Sequence, residues 1–283
     1  MTATAMAYRR PTDLDAALEL LASEGSLPLA GGTDFVPMQR AGAISPATIV
    51  DLKSLSELRR IEVHHEHVII GGCVTMAEIG ILDQAGIGAL VDGANYVGGP
   101  QTRARATLAG NVARSSPAGD TLAPLVVLDA VARVAASAHG GRDIPLSSFF
   151  AGPGQNRLQP GELITEIAVP STGSSAYLRL TYRSWMDLAV SGVAVWIRRD
   201  GDGVAEARVA LCGVGPTPLL VPAAGAALAG SEPDTAAASA ALESAARPVT
   251  DVRGTAEYRL ASLGPLLERA LGTAMARSGE RQP

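Results

Sequence analysis

The stretch Leu29-Ala30-Gly31-Gly32-Thr33-Asp34 decides how this chain is interpreted. A short apolar run leads into it, and the apolar segment Phe35-Val36-Pro37-Met38 follows it. This order predicts a strand, a tight glycine turn and the start of a short helix. Two adjacent glycines let the backbone reach positive φ and let a ligand approach the main chain closely. The outward N–H groups of such a turn favour a phosphate site, and a plain strand-to-helix turn is the alternative.

Composition limits the class of protein. The chain has 283 residues, enough for two or three units that each have a core. Hydrophobic residues make up 47% and charged residues 18%, which is typical of a globular chain and not of a disordered one. The formal net charge of −5 argues against nucleic-acid binding, because phosphate contacts need clustered Lys and Arg. Two cysteines, Cys73 and Cys212, are too few to hold an iron–sulfur centre.

The sequence also bears on location. The first residues lack a charged region followed by a long apolar run, which is the pattern of a secretory signal. No window of about twenty apolar residues predicts a transmembrane helix. We therefore expect a cytoplasmic protein with no membrane span.

A second informative segment is Thr107-Leu108-Ala109-Gly110-Asn111, which follows a glycine turn and two arginines. Small residues let a flat ligand or a sugar chain lie against the backbone. Asn111 can donate and accept hydrogen bonds, whereas Asp120 can only accept. Asp120 precedes an apolar helix predicted over 122–128. Two roles stay open for it: to hold ribityl hydroxyls, or to be that helix's N-cap.

The first half of the chain predicts a strand–helix–strand unit followed by a hairpin. Thr12 is the expected cap of a helix over 14–21, and a strand is expected over 49–52. The hairpin joins 61–63 to 68–70 through His64-His65-Glu66-His67. A zinc site is one interpretation of these four residues. Because they alternate between two faces, a polar turn is the simpler one. Thr75-Met76-Ala77-Glu78 predicts a capping box.

The second half predicts strands first and helices last. Strands are expected over 131–136, 142–145 and 162–169, with a loop over 149–154. Ser171-Thr172-Gly173-Ser174-Ser175 is typical of a flexible linker and marks the expected domain boundary. Beyond it the pattern predicts three strands and two helices, an α+β arrangement: strands 176–183, 188–197 and 204–213, and helices 235–246 and 255–276.

Together these motifs, their order and their spacing resemble the FAD-binding medium subunits of molybdenum hydroxylases, the relatives of carbon monoxide dehydrogenase and xanthine dehydrogenase. The family's Ala-Gly-Gly-x-[Ser/Asp] turn matches residues 30–34, and its Thr-[Ile/Val]-Gly-Gly-[Asn/Ser] turn matches residues 107–111. Its Pro-x-x-Asp matches 117–120, and its Tyr-x-Lys strand matches Tyr177-Leu178-Arg179. Two departures are Ala109 in place of glycine and Arg179 in place of lysine, which is not a conservative exchange near a flavin.

The resemblance implies an α+β fold with two domains. The first is a two-lobed FAD-binding domain of the PCMH type over 1–172, with lobes of about 1–56 and 57–172. The second, over 173–283, is a C-terminal domain with an antiparallel sheet and helices.

The resemblance also implies a set of FAD contacts and no catalytic or metal-binding side chain. The backbone N–H of Asp34, and not its carboxylate, is the expected contact with the diphosphate. Arg179 would lie near the polar edge of the isoalloxazine and raise its reduction potential. The implied cofactor-binding residues are Leu29, Ala30, Gly31, Gly32, Thr33, Asp34, Phe35, Val36, Val97, Thr107, Leu108, Ala109, Gly110, Asn111, Asp120, Ile164, Arg179 and Leu188.

The function implied is that of an oxidoreductase subunit that transfers electrons. FAD would belong to this chain, while two [2Fe–2S] clusters would lie in a small partner subunit and molybdopterin in a large one, in a dimer of heterotrimers. Electrons would pass through FAD to NAD, a quinone or oxygen. Two alternatives stay open: a stand-alone FAD-dependent oxidase and a flavin-free scaffold subunit.

Overall fold

The computed structural model describes residues 6–184 and 186–279. The expectation of no secretory signal rests partly on residues 1–5, which lie outside this part of the chain, as do the outer ends of the two expected domains. The described chain forms three main sheets that follow one another in sequence. In that part of the chain, no helix is long and apolar enough to cross a membrane.

The first lobe is a parallel three-stranded sheet in the order β1-β3-β2, with two helices. Helix α1 buries Ala17, Leu18 and Leu21, one face of a 3.6-residue period. The expected cap is wrong by one residue, because Asp13 and not Thr12 accepts from the N–H of Ala16. The elements are β1 (Ala7–Arg9), α1 (Leu14–Leu21), β2 (Ser26–Leu29), α2 (Phe35–Arg40) and β3 (Thr48–Asp51).

The second lobe is built on an antiparallel five-stranded sheet in the order β4-β5-β10-β6-β7. Ile167 lies on the central strand, opposite Ile70 on one side and Ala132 on the other, and is fully buried. The elements are β4 (Ile61–Val63), β5 (His67–Gly71), α3 (Met76–Ile79), α4 (Gly88–Tyr96), α5 (Pro100–Arg103), α6 (Leu108–Arg114), α7 (Leu122–Val127), β6 (Val131–Ala136), β7 (Gly140–Pro145), α8 (Leu146–Phe149), β8 (Phe150–Gly152), β9 (Gln155–Asn156) and β10 (Leu163–Pro170).

The capping box and the hairpin expected in this lobe are confirmed, whereas the loop expected over 149–154 is not. The capping box closes, with the Thr75 N–H donating to Glu78 Oε2 at 2.8 Å. The hairpin also forms, and the rings of His64 and His67 stack at its turn with 4.4 Å between centroids. The loop expected over 149–154 is wrong, because β8 and β9 pair there across a turn in which Gly154 has φ +71°.

The C-terminal unit is an antiparallel sheet in the order β11-β12-β13-β14, with helices on one face. Its other face packs against α4 and α7 of the second lobe. The elements are β11 (Ser174–Leu180), β12 (Ser191–Asp200), β13 (Gly203–Cys212), β14 (Leu219–Leu220), α9 (Pro222–Leu228), α10 (Thr235–Ala245), α11 (Ala256–Ala261) and α12 (Leu263–Gly279).

Two expectations about this unit are wrong. The single helix over 255–276 divides at Ser262, because Pro265 has no N–H and its ring clashes with the carbonyl of residue 261 in a continuous helix. The flexible linker ends at Gly173. Ser174 and Ser175 are buried strand residues, and the Ser175 hydroxyl donates to the Gly86 carbonyl at 2.8 Å. Strand β14 and helix α9 were not expected at all.

Candidate cofactor site

A cleft of about 470 Å³ lies between the two N-terminal lobes. Its walls come from the β2–α2 turn, the start of α6 and the start of β10. The volume lies in the range of small-molecule sites in proteins. Twelve of the eighteen residues expected from sequence line this cleft, namely Ala30, Gly31, Gly32, Thr33, Asp34, Phe35, Val97, Thr107, Ala109, Gly110, Asn111 and Ile164.

The β2–α2 turn presents unused backbone donors to the cleft. Gly32 has φ +79°, a left-handed conformation that glycine adopts without strain. None of the described residues accepts a hydrogen bond from the N–H of Gly32, Thr33 or Asp34. Asp34 stands at the N-cap of α2, yet its carboxylate makes no capping hydrogen bond. The turn therefore has the free amides that an anion requires.

Gly31 is required by the contact between the lobes. A Cβ added at Gly31 would lie 2.0 Å from the carbonyl oxygen of Arg105. That carbonyl belongs to the backbone that leads into α6, so the turn of the first lobe packs directly on the second. A side chain at this position would push the two walls of the cleft apart.

The opposite wall is the first turn of α6, where sequence indicated only a small-residue turn. Thr107 is its N-cap, and its hydroxyl accepts from the N–H of Gly110 at 3.3 Å. The N–H of Leu108 donates to the Val74 carbonyl at 3.1 Å. For the N–H of Ala109 there is no acceptor in the described part of the chain. A second free amide and the positive end of a short helix thus face the same cleft.

The departure at Ala109 is accommodated by a glycine across from it. A Cβ built on Gly72 would lie 3.4 Å from the Ala109 Cβ and 2.5 Å from the Ile164 carbonyl oxygen. Because Gly72 has no side chain, the Ala109 methyl group fits beside it without a clash. Beyond it, the Asn111 Oδ1 accepts from the Thr121 hydroxyl at 2.7 Å, which leaves the Asn111 Nδ2 group as a donor.

Two charged residues that sequence analysis missed also line the cleft. Arg114 Nε lies 3.6 Å from Asp34 Oδ1, so this ion pair links the two lobes. The Glu162 side chain is almost fully buried and accepts from Arg142 Nε at 2.7 Å and Nη2 at 2.8 Å. These hydrogen bonds hold the pKa of Glu162 below its ordinary value. Neither residue belongs to a local motif, which is why sequence analysis did not identify them.

The remaining newly found lining is mostly apolar and comes from both lobes. Cys73 is buried in this wall, and burial raises the pKa of its thiol to about 11. An apolar wall beside polar donors suits a ligand with an aromatic ring and a charged chain. The apolar lining residues that sequence analysis did not single out are Pro28, Met38, Ile44, Leu52, Leu58, Cys73, Ala106, Ala113, Leu158 and Leu163.

Six residues expected at the cofactor do not line the cleft. Leu108 is fully buried in the second-lobe core, whereas Val36 and Leu188 are exposed on the surface. Asp120 and Arg179 form part of a buried polar cluster behind the wall. The six are Leu29, Val36, Leu108, Asp120, Arg179 and Leu188.

Asp120 is not a helix cap. Helix α7 begins after Thr121, which occupies the N-cap position. The Asp120 carboxylate instead accepts from the Tyr177 hydroxyl at 3.0 Å and from Arg179 Nη1 at 2.6 Å. Burial raises the pKa of Asp120 to about 7, although Arg179 and Tyr177 act in the opposite direction. The N-cap interpretation is therefore wrong, and the carboxylate joins the second lobe to β11.

The Arg179 guanidinium donates hydrogen bonds to three groups of the protein. Besides Asp120, it donates to the Asp187 carbonyl at 2.9 Å and to the Tyr96 carbonyl at 3.2 Å. Its guanidinium lies 4.8 Å from the centre of the Tyr96 ring. Tyr96 directly precedes Val97, which lines the cleft. Arg179 thus fixes the end of α4 from behind the cleft wall.

Comparison with known proteins decides the family. The sequence model of the protein family described as the FAD binding domain in molybdopterin dehydrogenase matches residues 4–172. The chain belongs to the FAD-binding medium subunits of molybdenum hydroxylases. The model described as the CO dehydrogenase flavoprotein C-terminal domain matches residues 176–274 of this medium subunit.

Individual relatives agree along nearly the whole chain. The medium chain of carbon monoxide dehydrogenase from Hydrogenophaga pseudoflava is 32% identical and aligns over 95% of this chain and 97% of its own length. The nicotine 6-hydroxylase medium subunit from Paenarthrobacter nicotinovorans is 30% identical over 98% of this chain and 100% of its own. The solved structure of reconstituted CO dehydrogenase from Oligotropha carboxidovorans matches with a TM-score of 0.90, at 30% identity, over 98% of this chain and 100% of that one.

The family confirms several expectations. The fold is the expected α+β fold with an FAD-binding domain, and the chain is an FAD-dependent subunit of an oxidoreductase. The residues present fit this cofactor. The free amides at Gly32–Asp34 and Ala109 suit a diphosphate, and the Gly31 contact leaves room for no side chain.

Proposed function

We propose that this medium subunit holds FAD in the cleft between its N-terminal lobes and relays electrons from iron–sulfur clusters of a partner subunit to an external acceptor. The observation that carries the proposal is the pair of free amide groups from separate lobes, at Gly32–Asp34 and at Ala109, on one cleft. Such donors bind an anionic diphosphate, the part of FAD that distinguishes it from simpler flavins.

The bound flavin supplies the redox chemistry, because it can take electrons singly and release them as a pair. The side chains of this subunit position it. We assign the diphosphate to the turn amides of the first lobe and to the start of α6. We assign the apolar ring system to the wall that contains Val97, Leu158 and Ile164. No side chain of this chain is proposed as an acid, base or nucleophile.

Asp34 contributes its backbone and not its carboxylate. The N–H of Asp34 is free, whereas its carboxylate is directed to Arg114 across the cleft. An aspartate carboxylate beside a diphosphate would be repelled by it. We therefore assign the diphosphate to the amides of the turn and give the Asp34 carboxylate no contact with it.

Asp120 and Arg179 act in this proposal as supports of the wall. Their ion pair and the bonds from Arg179 to the Tyr96 and Asp187 carbonyls hold the C-terminal sheet against the second lobe. Both side chains are almost fully buried and neither lines the cleft, so we assign neither a direct contact with FAD. Of the eighteen expected contacts, we retain the twelve that line the cleft as direct ones.

The names of the relatives support a proposal about the partners. The relatives are named as medium chains or subunits, which supports a role within a larger complex. We propose a small subunit with two [2Fe–2S] clusters and a large molybdopterin subunit, arranged as a dimer of heterotrimers in the cytoplasm. The acceptor would be NAD, a quinone or oxygen. We further propose residues 1–172 as the FAD-binding domain and 173–283 as the C-terminal domain.

The test is to purify the chain from its native cells with its partners and to measure FAD, iron and molybdenum per copy. We expect FAD, iron and molybdenum to be present in a fixed ratio to the chain. We also expect the flavin spectrum to bleach when the iron–sulfur clusters are reduced. A yellow chain that oxidises a substrate without iron or molybdenum would instead indicate a stand-alone oxidase. A chain that stays colourless when FAD is added would indicate a scaffold.

A further inference from the structure

The charges on the cleft are unequal. Of the described residues that line it, Arg114 is the single cationic one, while Asp34 and Glu162 are acidic. Glu162 is already neutralised by a bidentate pair with Arg142. A ligand with a diphosphate therefore meets one cation, and that cation lies next to the Asp34 carboxylate.

The backbone of Arg114 is fixed at the end of a helix, while its side chain is partly exposed. It lies in the last turn of α6, and the next residue, Ser115, has φ +52° and ends the helix. Arg114 Nη1 lies 3.2 Å from the Cβ position of Gly154, so the guanidinium rests against the tip of the β8–β9 hairpin. Its side chain is 40% exposed and that of Asp34 is 58% exposed. Because the Nε–Oδ1 distance of 3.6 Å is longer than a hydrogen bond, this pair contributes little by itself.

Arg114 has two possible partners, the Asp34 carboxylate and a diphosphate, and their chemistry favours the diphosphate. A guanidinium presents a planar fork of donors that matches a carboxylate and a phosphate group alike, so charge decides between the two partners. A diphosphate carries more negative charge than the single carboxylate of Asp34 and accepts two parallel hydrogen bonds. The exchange of partners also leaves the Asp34 N–H in its place on the turn.

We propose that Arg114 is the side chain that binds the FAD diphosphate, and that it transfers from Asp34 to the diphosphate when FAD enters. The inference rests on the proposed FAD site and adds to it a residue that no motif indicates. Asp34 then has two roles. It contributes an amide to the ligand, and its carboxylate, 3.6 Å from Arg114 Nε, competes with the ligand for that side chain.

The test is equilibrium binding to the full-length chain freed of flavin. The ligands are FAD, ADP and riboflavin, the last of which has no phosphate. Arg114→Met should weaken FAD and ADP about ten- to hundredfold, the loss expected for a charge-assisted hydrogen bond, and leave riboflavin within about twofold. Arg114→Lys should lie between. Asp34→Asn should bind FAD more tightly than the wild type, because it removes the competing carboxylate.

The matched control is Arg198→Met, which removes one positive charge from an exposed pair with Glu206 on the C-terminal sheet. It should bind all three ligands like the wild type. Equal FAD affinity in Arg114→Met and the wild type would overturn the inference and leave the proposed function standing. Equal losses of affinity for FAD and riboflavin in Arg114→Met would overturn it too, because they would indicate that Arg114 only holds the two lobes together. A wild-type chain that binds neither FAD nor ADP would overturn both the inference about Arg114 and the proposed function.

Discussion

Arg179 and Asp120 form a buried ion pair, with 2.6 Å between Nη1 and Oδ2 and side chains that are only 4% and 6% exposed. Arg179 belongs to β11 of the C-terminal sheet, and Asp120 precedes α7 of the second lobe. The two charges therefore lie at the contact between these units, and each depends on the other for compensation.

Removal of Arg179 should destabilise the chain strongly. Arg179→Met leaves the Asp120 carboxylate buried with only Tyr177 as a donor. Above pH 7, where Asp120 is ionised in the folded wild type, we expect the free energy of unfolding to fall by about 3–5 kcal/mol, the usual cost of removing one partner of a buried pair. Urea denaturation monitored by circular dichroism measures this loss. Arg198→Met, in the exposed pair with Glu206, should lose less than about 1 kcal/mol.

The same variant tests the sequence-based hypothesis about the flavin. If the field of Arg179 raises the reduction potential of bound FAD, Arg179→Met should lower that potential. An unchanged potential in a folded, FAD-loaded variant would limit Arg179 to its structural role.

Asp120 should give the stability of the chain a distinctive pH dependence. Because burial raises its folded pKa to about 7, the folded state holds a proton that the unfolded state releases near pH 4. Folding is then favoured at low pH, and this contribution is lost as the pH rises from about 4 to about 7. The Asp120→Asn variant lacks this term. The difference in unfolding free energy between wild type and variant should therefore decline over that interval and be flat above it. A difference that increases with pH would show that the carboxylate is ionised throughout.

Gly31 should tolerate no side chain. Because its Cβ position lies 2.0 Å from the Arg105 carbonyl oxygen, Gly31→Ala must displace backbone and not a flexible side chain. We expect a loss of about 1–3 kcal/mol in stability and weaker FAD binding, since both walls of the cleft shift. Gly272→Ala is the control. It lies in α12 with no atom within 4 Å of its Cβ position, and it should stabilise the helix by about 0.5–1 kcal/mol.

Both cysteines should be unreactive in the folded chain. Burial raises the pKa of Cys73 to about 11 and that of Cys212 to about 12, so neither forms a thiolate at neutral pH. Mass spectrometry after treatment with iodoacetamide should find no alkylation of the native protein and two alkylated cysteines after denaturation. Rapid native alkylation at Cys73 alone would show that the cleft wall opens.

The sequence predicted what local chemistry determines. The turn at Gly31–Gly32 and the capping box at Thr75 depend on neighbours within a few residues, and both appear as expected. The pattern of apolar and polar residues along the chain predicted the positions of most strands of the two antiparallel sheets. The break between α11 and α12 was missed because the apolar periodicity continues through Ser262, while Pro265 interrupts the hydrogen bonds.

Long-range partners explain what the sequence did not predict. Ser174 and Ser175 are typical of a linker in composition, yet their hydroxyls find carbonyls at Ala274 and Gly86. Asp120 finds its partners at Tyr177 and Arg179, more than fifty residues away. Arg114 reaches Asp34 only because the two lobes meet. Such contacts have no signature in a short stretch of sequence.

Hydrogen–deuterium exchange with and without FAD tests most directly the claim that both lobes bind the cofactor through free amides. At saturating FAD, peptides that cover residues 31–34 and 107–111 should exchange more slowly, because the amides of Gly32–Asp34 and Ala109 gain acceptors. Peptides of the exposed hairpin turn at Arg199–Gly203 should exchange as before. Unchanged exchange in 31–34 and 107–111 while FAD is bound would show that these amides do not bind the cofactor.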